Sequence, residues 1–289
     1  MRLTIPDPKI ELYEDGFAAY DKLSRKPTGD KLSELVKRID DPLVIALDGA
    51  WGSGKSFFLK CWVGEHLKRD GTTTQTVYFD AFKHDFLDDP LVALTGAIAD
   101  RFRKPEGKQH EQNQKLTQHL KKTAWAVSKA AGRIGLSAVT FGATEILSDL
   151  GDEIAQAVSD KAKAFLSKET GDKQAEQFWD AHQAKIAAMD AFRLALTELT
   201  EPKEENGNER PTKKLVIVVD ELDRCRPDYA LLLLETIKHF FNVDGVHFVL
   251  GVNLEQLQNS VKARYGSGTE AEAYLQKFYS LKLKLPRMI

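Results

Sequence analysis

Residues 43–60 read LVIALDGAWGSGKSFFLK, and this stretch decides the fold. Leu43–Leu47 is an apolar run bounded by Pro42 and a glycine turn, the pattern of a buried strand. Gly49-Ala50-Trp51-Gly52-Ser53-Gly54 then gives two glycines with four residues between them, followed by Lys55 and Ser56. A helix is expected from Lys55 to about Lys68, with Phe57 in its first turn. Strand, glycine turn and helix start in that order predict a phosphate cradle. The glycines let the backbone N–H groups converge on an anion, and the helix adds its positive end. Lys55 is expected to reach β- and γ-phosphates and Ser56 to ligate Mg²⁺.

Working outward, Thr76–Ala81 reads as a second strand and Leu215–Val219 as a third. A helix near Tyr229–Phe241, a strand at Val246–Val252, a helix at Leu254–Tyr265 and a last strand near Tyr279–Leu285 follow. Upstream, Leu32, Leu35, Val36 and Ile39 fall at helical spacing after Thr28-Gly29-Asp30. Apolar strands alternating with helices predict an α/β fold with a parallel sheet. About 130 residues separate the second and third strands, far more than a crossover requires. The division expected is therefore a core of 1–100 and 213–289 with a mostly helical insertion at 101–212. Within it, 101–122 is basic, 124–150 is rich in small residues, and Glu169–Leu199 is helix-like. Pro202–Lys214 reads as a polar linker.

A phosphate site also requires a carboxylate at the end of an apolar strand. LVIVVDE supplies Asp220 for the metal and Glu221 to polarise an attacking water, with Asp223 a rival for either role. Asn253, at the end of VHFVLGVN, either probes the γ-phosphate or caps the helix that begins at Leu254. Arg224 and Arg226 flank Cys225 and suit an arginine finger, in cis or toward a second subunit, or an ion pair with Asp223. Cys225 reads as a small packed hydrophobe. Asp80, Lys83, His84 and Asp85 lie beyond the second strand, either contacting a ligand or forming a solvated loop with Phe79 and Phe82 in the core.

Four blocks resemble the KAP group of P-loop NTPases: GAWGSGKS at 49–56, FDAFKHDFLDDPLVAL at 79–94, VIVVDELDRCRP at 216–227 and FVLGVNLEQL at 248–257. The segment AEAYLQKFYSLKLKLP at 271–286 is similar to the family's last strand. The resemblance implies a P-loop NTPase of the ASCE type with sheet order 5-1-4-3-2, ATP and Mg²⁺ as cofactors, and ATP hydrolysis. It implies links to phage exclusion or membrane-associated signalling assemblies, and an insertion where many relatives carry transmembrane hairpins. Glu221 and Asn253 stand where the family often has Asp, and both keep a polar group in place.

A formal net charge of −2 over 289 residues argues against a general polyanion-binding surface. Residues 101–122 carry seven Lys or Arg against two Glu, which suits either a solvated helix or contact with nucleic acid or anionic lipid. Lys129, Arg133 and Glu145 interrupt 124–150, so no membrane span is expected. Two cysteines without ligand spacing and an acidic, proline-containing start point to the cytoplasm, or to the periphery of the membrane's inner face. The leading expectation is an ATPase acting as a regulatory switch or assembly module, with a protein partner or self-association. A small-molecule kinase and a non-hydrolysing nucleotide scaffold remain as alternatives.

Overall fold

The computed structural model describes residues 10–285 except 19, 70–72, 103–107, 131–172, 206–207 and 241. In chain order the described helices are α1 (Lys26–Arg38), α2 (Lys55–Leu67), α3 (Ala81–His84), α4 (Pro90–Phe102), α5 (Lys108–Ala130), α6 (Lys173–Leu199), α7 (Pro227–Phe240), α8 (Leu254–Tyr265) and α9 (Ala271–Leu275). The strands are β1 (Leu43–Asp48), β2 (Thr74–Asp80), β3 (Pro202–Glu205), β4 (Asn208–Pro211), β5 (Lys214–Asp220), β6 (Val246–Val252) and β7 (Leu281–Lys284).

Five strands form one parallel sheet in the order β2-β5-β6-β1-β7. Counted along the chain within that sheet, this is 5-1-4-3-2 read from the other edge, as the sequence resemblance implies. Every residue of β5 and β6 is buried, which is why both read as continuous apolar runs rather than alternating ones.

The chain divides into two compact units. The first comprises 1–82, 213–224 and 245–289 and holds the whole five-stranded sheet. Its core gathers Ile45, Leu47, Phe58, Leu59, Trp62, Val216, Val218 and Val249. Helix α1 begins at Lys26, earlier than its apolar spacing suggests, because Pro27 presets the first turn. It locks to α2 through Trp62 Nε1, which donates to the Gly29 carbonyl and Ser33 Oγ, both at 3.0 Å. At its other end Lys214 Nζ donates to the carbonyls of Val36, Lys37 and Ile39 at 3.2, 2.8 and 2.5 Å. A cation opening β5 thus satisfies carbonyls that a helix C-terminus leaves without partners.

The second unit comprises 83–212 and 225–244. Helices α5 and α6 pack together through small side chains, with Ala124, Ala188, Ala191 and Ala195 all buried. The stretch expected as a linker is instead the antiparallel hairpin β3–β4, with Glu205 opposite Asn208. Asn206-Gly207, the strongest short hairpin signal, sits between those residues. Most of the small-residue stretch 124–150 lies outside the described residues. No described helix is long and apolar enough to cross a membrane.

Candidate functional site

The site is built at the carboxyl ends of β1 and β5, where open parallel sheets present their loops. Strand β1 ends at Asp48, the chain turns through Gly49–Gly54, and α2 starts at Lys55. Gly52 and Gly54 have φ of 75° and 79°, left-handed values that a side chain would resist. Gly49 N–H donates to the Val252 carbonyl at 3.1 Å and Phe58 N–H to the Gly54 carbonyl at 2.9 Å, so both ends of the loop are fixed. Arg25, itself buried, adds a third anchor by donating from Nη1 to the Ser53 carbonyl at 2.7 Å.

Lys55 is buried, and its amine donates to the carbonyls of Gly49 at 2.6 Å and Ala50 at 3.2 Å. The charge is thus held in the loop by neutral oxygens alone, an arrangement a phosphate oxygen would improve. A cavity of about 260 Å³ opens here, lined by Lys55, Ser56, Asp220, Glu221, Asp223 and Arg224 among others. The loop residues Ala50, Trp51, Gly52, Ser53 and Gly54 and the helix residue Phe57 line it as well. Sequence reasoning grouped these residues, and the structure brings them together.

The acids behave differently although adjacent. Asp220 is fully buried, and burial pushes its carboxyl above the usual range. Three donors counter that: Tyr78 Oη at 2.5 Å, the Glu221 N–H at 3.0 Å and the Ser56 hydroxyl. Glu221 leaves the strand with φ of 58°, a left-handed conformation that costs a non-glycine residue about 1–3 kcal/mol. Its carboxylate meets Arg224 Nη1 at 3.0 Å and Ser56 Oγ at 3.4 Å. Burial raises the Glu221 carboxyl, and Arg224 works against that rise. A carboxyl drawn toward neutrality is better matched to proton abstraction than an ordinary one.

Arg224 therefore pairs with Glu221, whereas Asp223 accepts from Trp51 Nε1 at 2.6 Å. Arg226 is engaged elsewhere, on the backbone oxygen of Asp85 at 2.9 Å and, through its own N–H, on the Asp85 carboxylate at 3.1 Å. Cys225 is buried, the packed thiol expected. Phe79 is buried in the core, but Phe82 is 49% exposed, contrary to its expected packing, because the chain leaves β2 before it and turns into α3. Asn253 caps α8, its side chain accepting from Gln256 N–H at 3.4 Å. It lines a separate recess of about 600 Å³ with Asp48, Gly49, Lys282 and Lys284.

Sequence reasoning missed Tyr78, Arg25 and the pairing of Trp51. Tyr78 was findable in principle. It aligns with Val218 across parallel strands, so Asp220, two residues on, is its diagonal neighbour on the same face. Gly251, aligned with Asp220 on β6, is the other silent contributor: a Cβ there would lie 2.6 Å from Asp220 Oδ1 and 2.4 Å from Leu59 Cδ1.

The donor set fits Mg²⁺ held by one hydroxyl and one carboxylate with phosphate and water completing the shell. Among the described residues no group of three or more His, Cys, Asp or Glu could hold a metal by itself. No curated protein sequence matches the chain. Solved structures with a similar arrangement include Aeropyrum pernix ORC2, determined as ADPNP–ADP complexes, at 14% identity and a TM-score of 0.37. That likeness covers 91% of this chain, which spans 48% of the ORC2 chain. The bacterial conjugative coupling protein TrwBdeltaN70, in its unbound form, matches at 16% identity and a TM-score of 0.26, over 88% of this chain and 75% of its own. Both are too distant to carry a functional argument. The family model described as the KAP family P-loop domain matches residues 25–289, and the chain belongs to that family of P-loop NTPases.

Proposed function

We propose that this protein binds ATP with Mg²⁺ at Gly49–Phe57 and hydrolyses it, using the energy to switch its association with a protein partner. The observation that carries the reading is the convergence of Lys55, Ser56, Asp220 and Glu221 on one cavity. Loop N–H groups and the Lys55 ammonium bind the β- and γ-phosphates. Ser56 and Asp220 hold Mg²⁺, which when bound draws charge from the phosphate oxygens as the bond to the leaving oxygen lengthens. Glu221 orients a water and accepts its proton as the water oxygen bonds to the γ-phosphorus. The bond from that phosphorus to the bridging oxygen breaks, releasing ADP and inorganic phosphate. Arg224, beside Glu221, is placed to meet charge that develops there.

The insertion at 101–212 is proposed to set partner choice, self-association included, and the family's links to phage exclusion make anti-phage defence the setting in which to look. Phosphate release tests the reading. Wild type should release phosphate from ATP with no acceptor present, and Glu221→Gln should bind Mg·ATP but not turn it over. Transfer to an acceptor would favour a kinase, and binding without release a scaffold. A bound but inactive Asp223→Asn alongside an active Glu221→Gln would move the base to Asp223.

A further inference from the structure

Beside the phosphate loop lies a second recess of about 230 Å³, lined by Phe17, Tyr20, Leu23, Arg25, Gly54 and Phe57 among others. It is continuous with the phosphate cradle, since Gly54 and Phe57 line both. Helical spacing explains the sharing: Gly54, Phe57 and Phe58 fall at i, i+3 and i+4, so the face that begins at the loop continues as aromatic surface. The opposite wall comes from the segment before α1. Tyr20 meets Phe57 edge to face with ring centroids 6.1 Å apart, and Phe17 packs on Phe58 at 5.4 Å. Arg25 fixes this wall to the loop through the Ser53 carbonyl.

We infer that this recess receives the base of the nucleotide whose phosphates lie on the loop, and that the base is adenine. The inference rests on the phosphate reading above and adds the base to it. A flat apolar group joined to a phosphate chain is what a recess of this lining, opening onto that loop, can take. The choice of base follows from the polar groups. Asp21 is the acid in the wall, and its two oxygens accept from the N–H groups of Arg25 at 2.7 Å and Lys26 at 2.8 Å. It is thus engaged, whereas guanine brings a ring N–H, an amine and a carbonyl that each need a partner when buried. Adenine carries fewer such groups into an aromatic slot.

Calorimetric titration of the full chain with Mg²⁺ complexes of ATP, GTP and inorganic tripolyphosphate tests this. ATP should bind about tenfold or more tighter than tripolyphosphate, and tighter than GTP. Tyr20→Ala should bring ATP down toward tripolyphosphate while leaving tripolyphosphate binding unchanged, which also shows that the variant is folded. Tyr20→Phe, which keeps the ring, should bind ATP as wild type does. Leu23→Ser, at a side chain 36% exposed, gives an independent variant that should weaken ATP severalfold. Equal affinities for ATP and tripolyphosphate would overturn the base site and leave the phosphate reading standing. GTP binding as tightly as ATP would overturn the choice of adenine. Failure of ATP and tripolyphosphate alike would overturn the phosphate reading and this inference together.

Discussion

Replacing Tyr78 by Phe keeps the ring and removes one hydroxyl, the donor to Asp220 at 2.5 Å. Burial and the neighbouring charge push the Tyr78 phenol far up, so it keeps its proton and remains a donor at any working pH. Asp220 is fully buried and cannot turn to water for a replacement. A hydrogen bond to a buried charge contributes about 1.5–3 kcal/mol, and its loss here should cost about that much. At about 2–4 °C per kcal/mol for a domain of this order, the apparent Tm should fall by about 3–12 °C. The Tyr78 bond holds the Asp220 carboxyl down, so its removal moves that carboxyl further up. The cost is therefore full where Asp220 is charged and shrinks as falling pH protonates it. Scanning calorimetry at neutral and mildly acidic pH, repeated in an Asp220→Asn background, measures this. An unchanged Tm at neutral pH, or an equal loss when Asp220 is already Asn, would refute the reasoning.

Gly251→Ala should destabilise by about 1–3 kcal/mol through overpacking, because its Cβ would meet Asp220 Oδ1 and Leu59 in a closed interior; urea unfolding would show it. Arg224→Ala should leave stability nearly unchanged, since the pair is partly exposed, yet it should move the acid limb of phosphate release to higher pH because Arg224 holds the Glu221 carboxyl down. His66, buried against Ser33 Oγ at 2.9 Å, is held at about 4 against the usual 6.5, so the unfolded chain takes up its proton first. Its contribution, on the order of 3 kcal/mol at most, is present above pH 6.5 and lost as pH falls toward 4; His66→Gln should flatten the dependence of urea midpoints on pH across that window.

The parts legible in the sequence are those that local pattern determines. The loop at 49–56 shows itself because its backbone needs glycines at fixed spacing, and β5 and β6 because burial on both faces leaves unbroken apolar runs. What escaped depends on distant partners. Trp51 reads as an exposed aromatic until Asp223, 172 residues on, takes its indole N–H. Arg25 lies outside any motif, and its contact with the Ser53 carbonyl arises only once α1 packs beside α2. The hairpin at 202–211 was legible in Asn206-Gly207 and was masked by its polar composition, which reads as a linker unless the two-residue turn is weighed first.

The acid pair shows why a motif is only half of a site. Two adjacent carboxylates at the end of a buried strand would ordinarily repel and take up a proton in so dry a place. Here the backbone separates their fates. Asp220 stays in the strand's line and faces donors from Tyr78, Ser56 and the next N–H. Glu221 swings out through a left-handed φ, beyond the strand's end, to meet Arg224. The first acid is thus kept charged by fixed hydrogen bonds, as a metal ligand must be. The second is left with its proton affinity raised, as a base must have. The sequence carries the two acids side by side, but the division of labour between them lies in a tyrosine on β2 and a glycine on β6 that makes room for it.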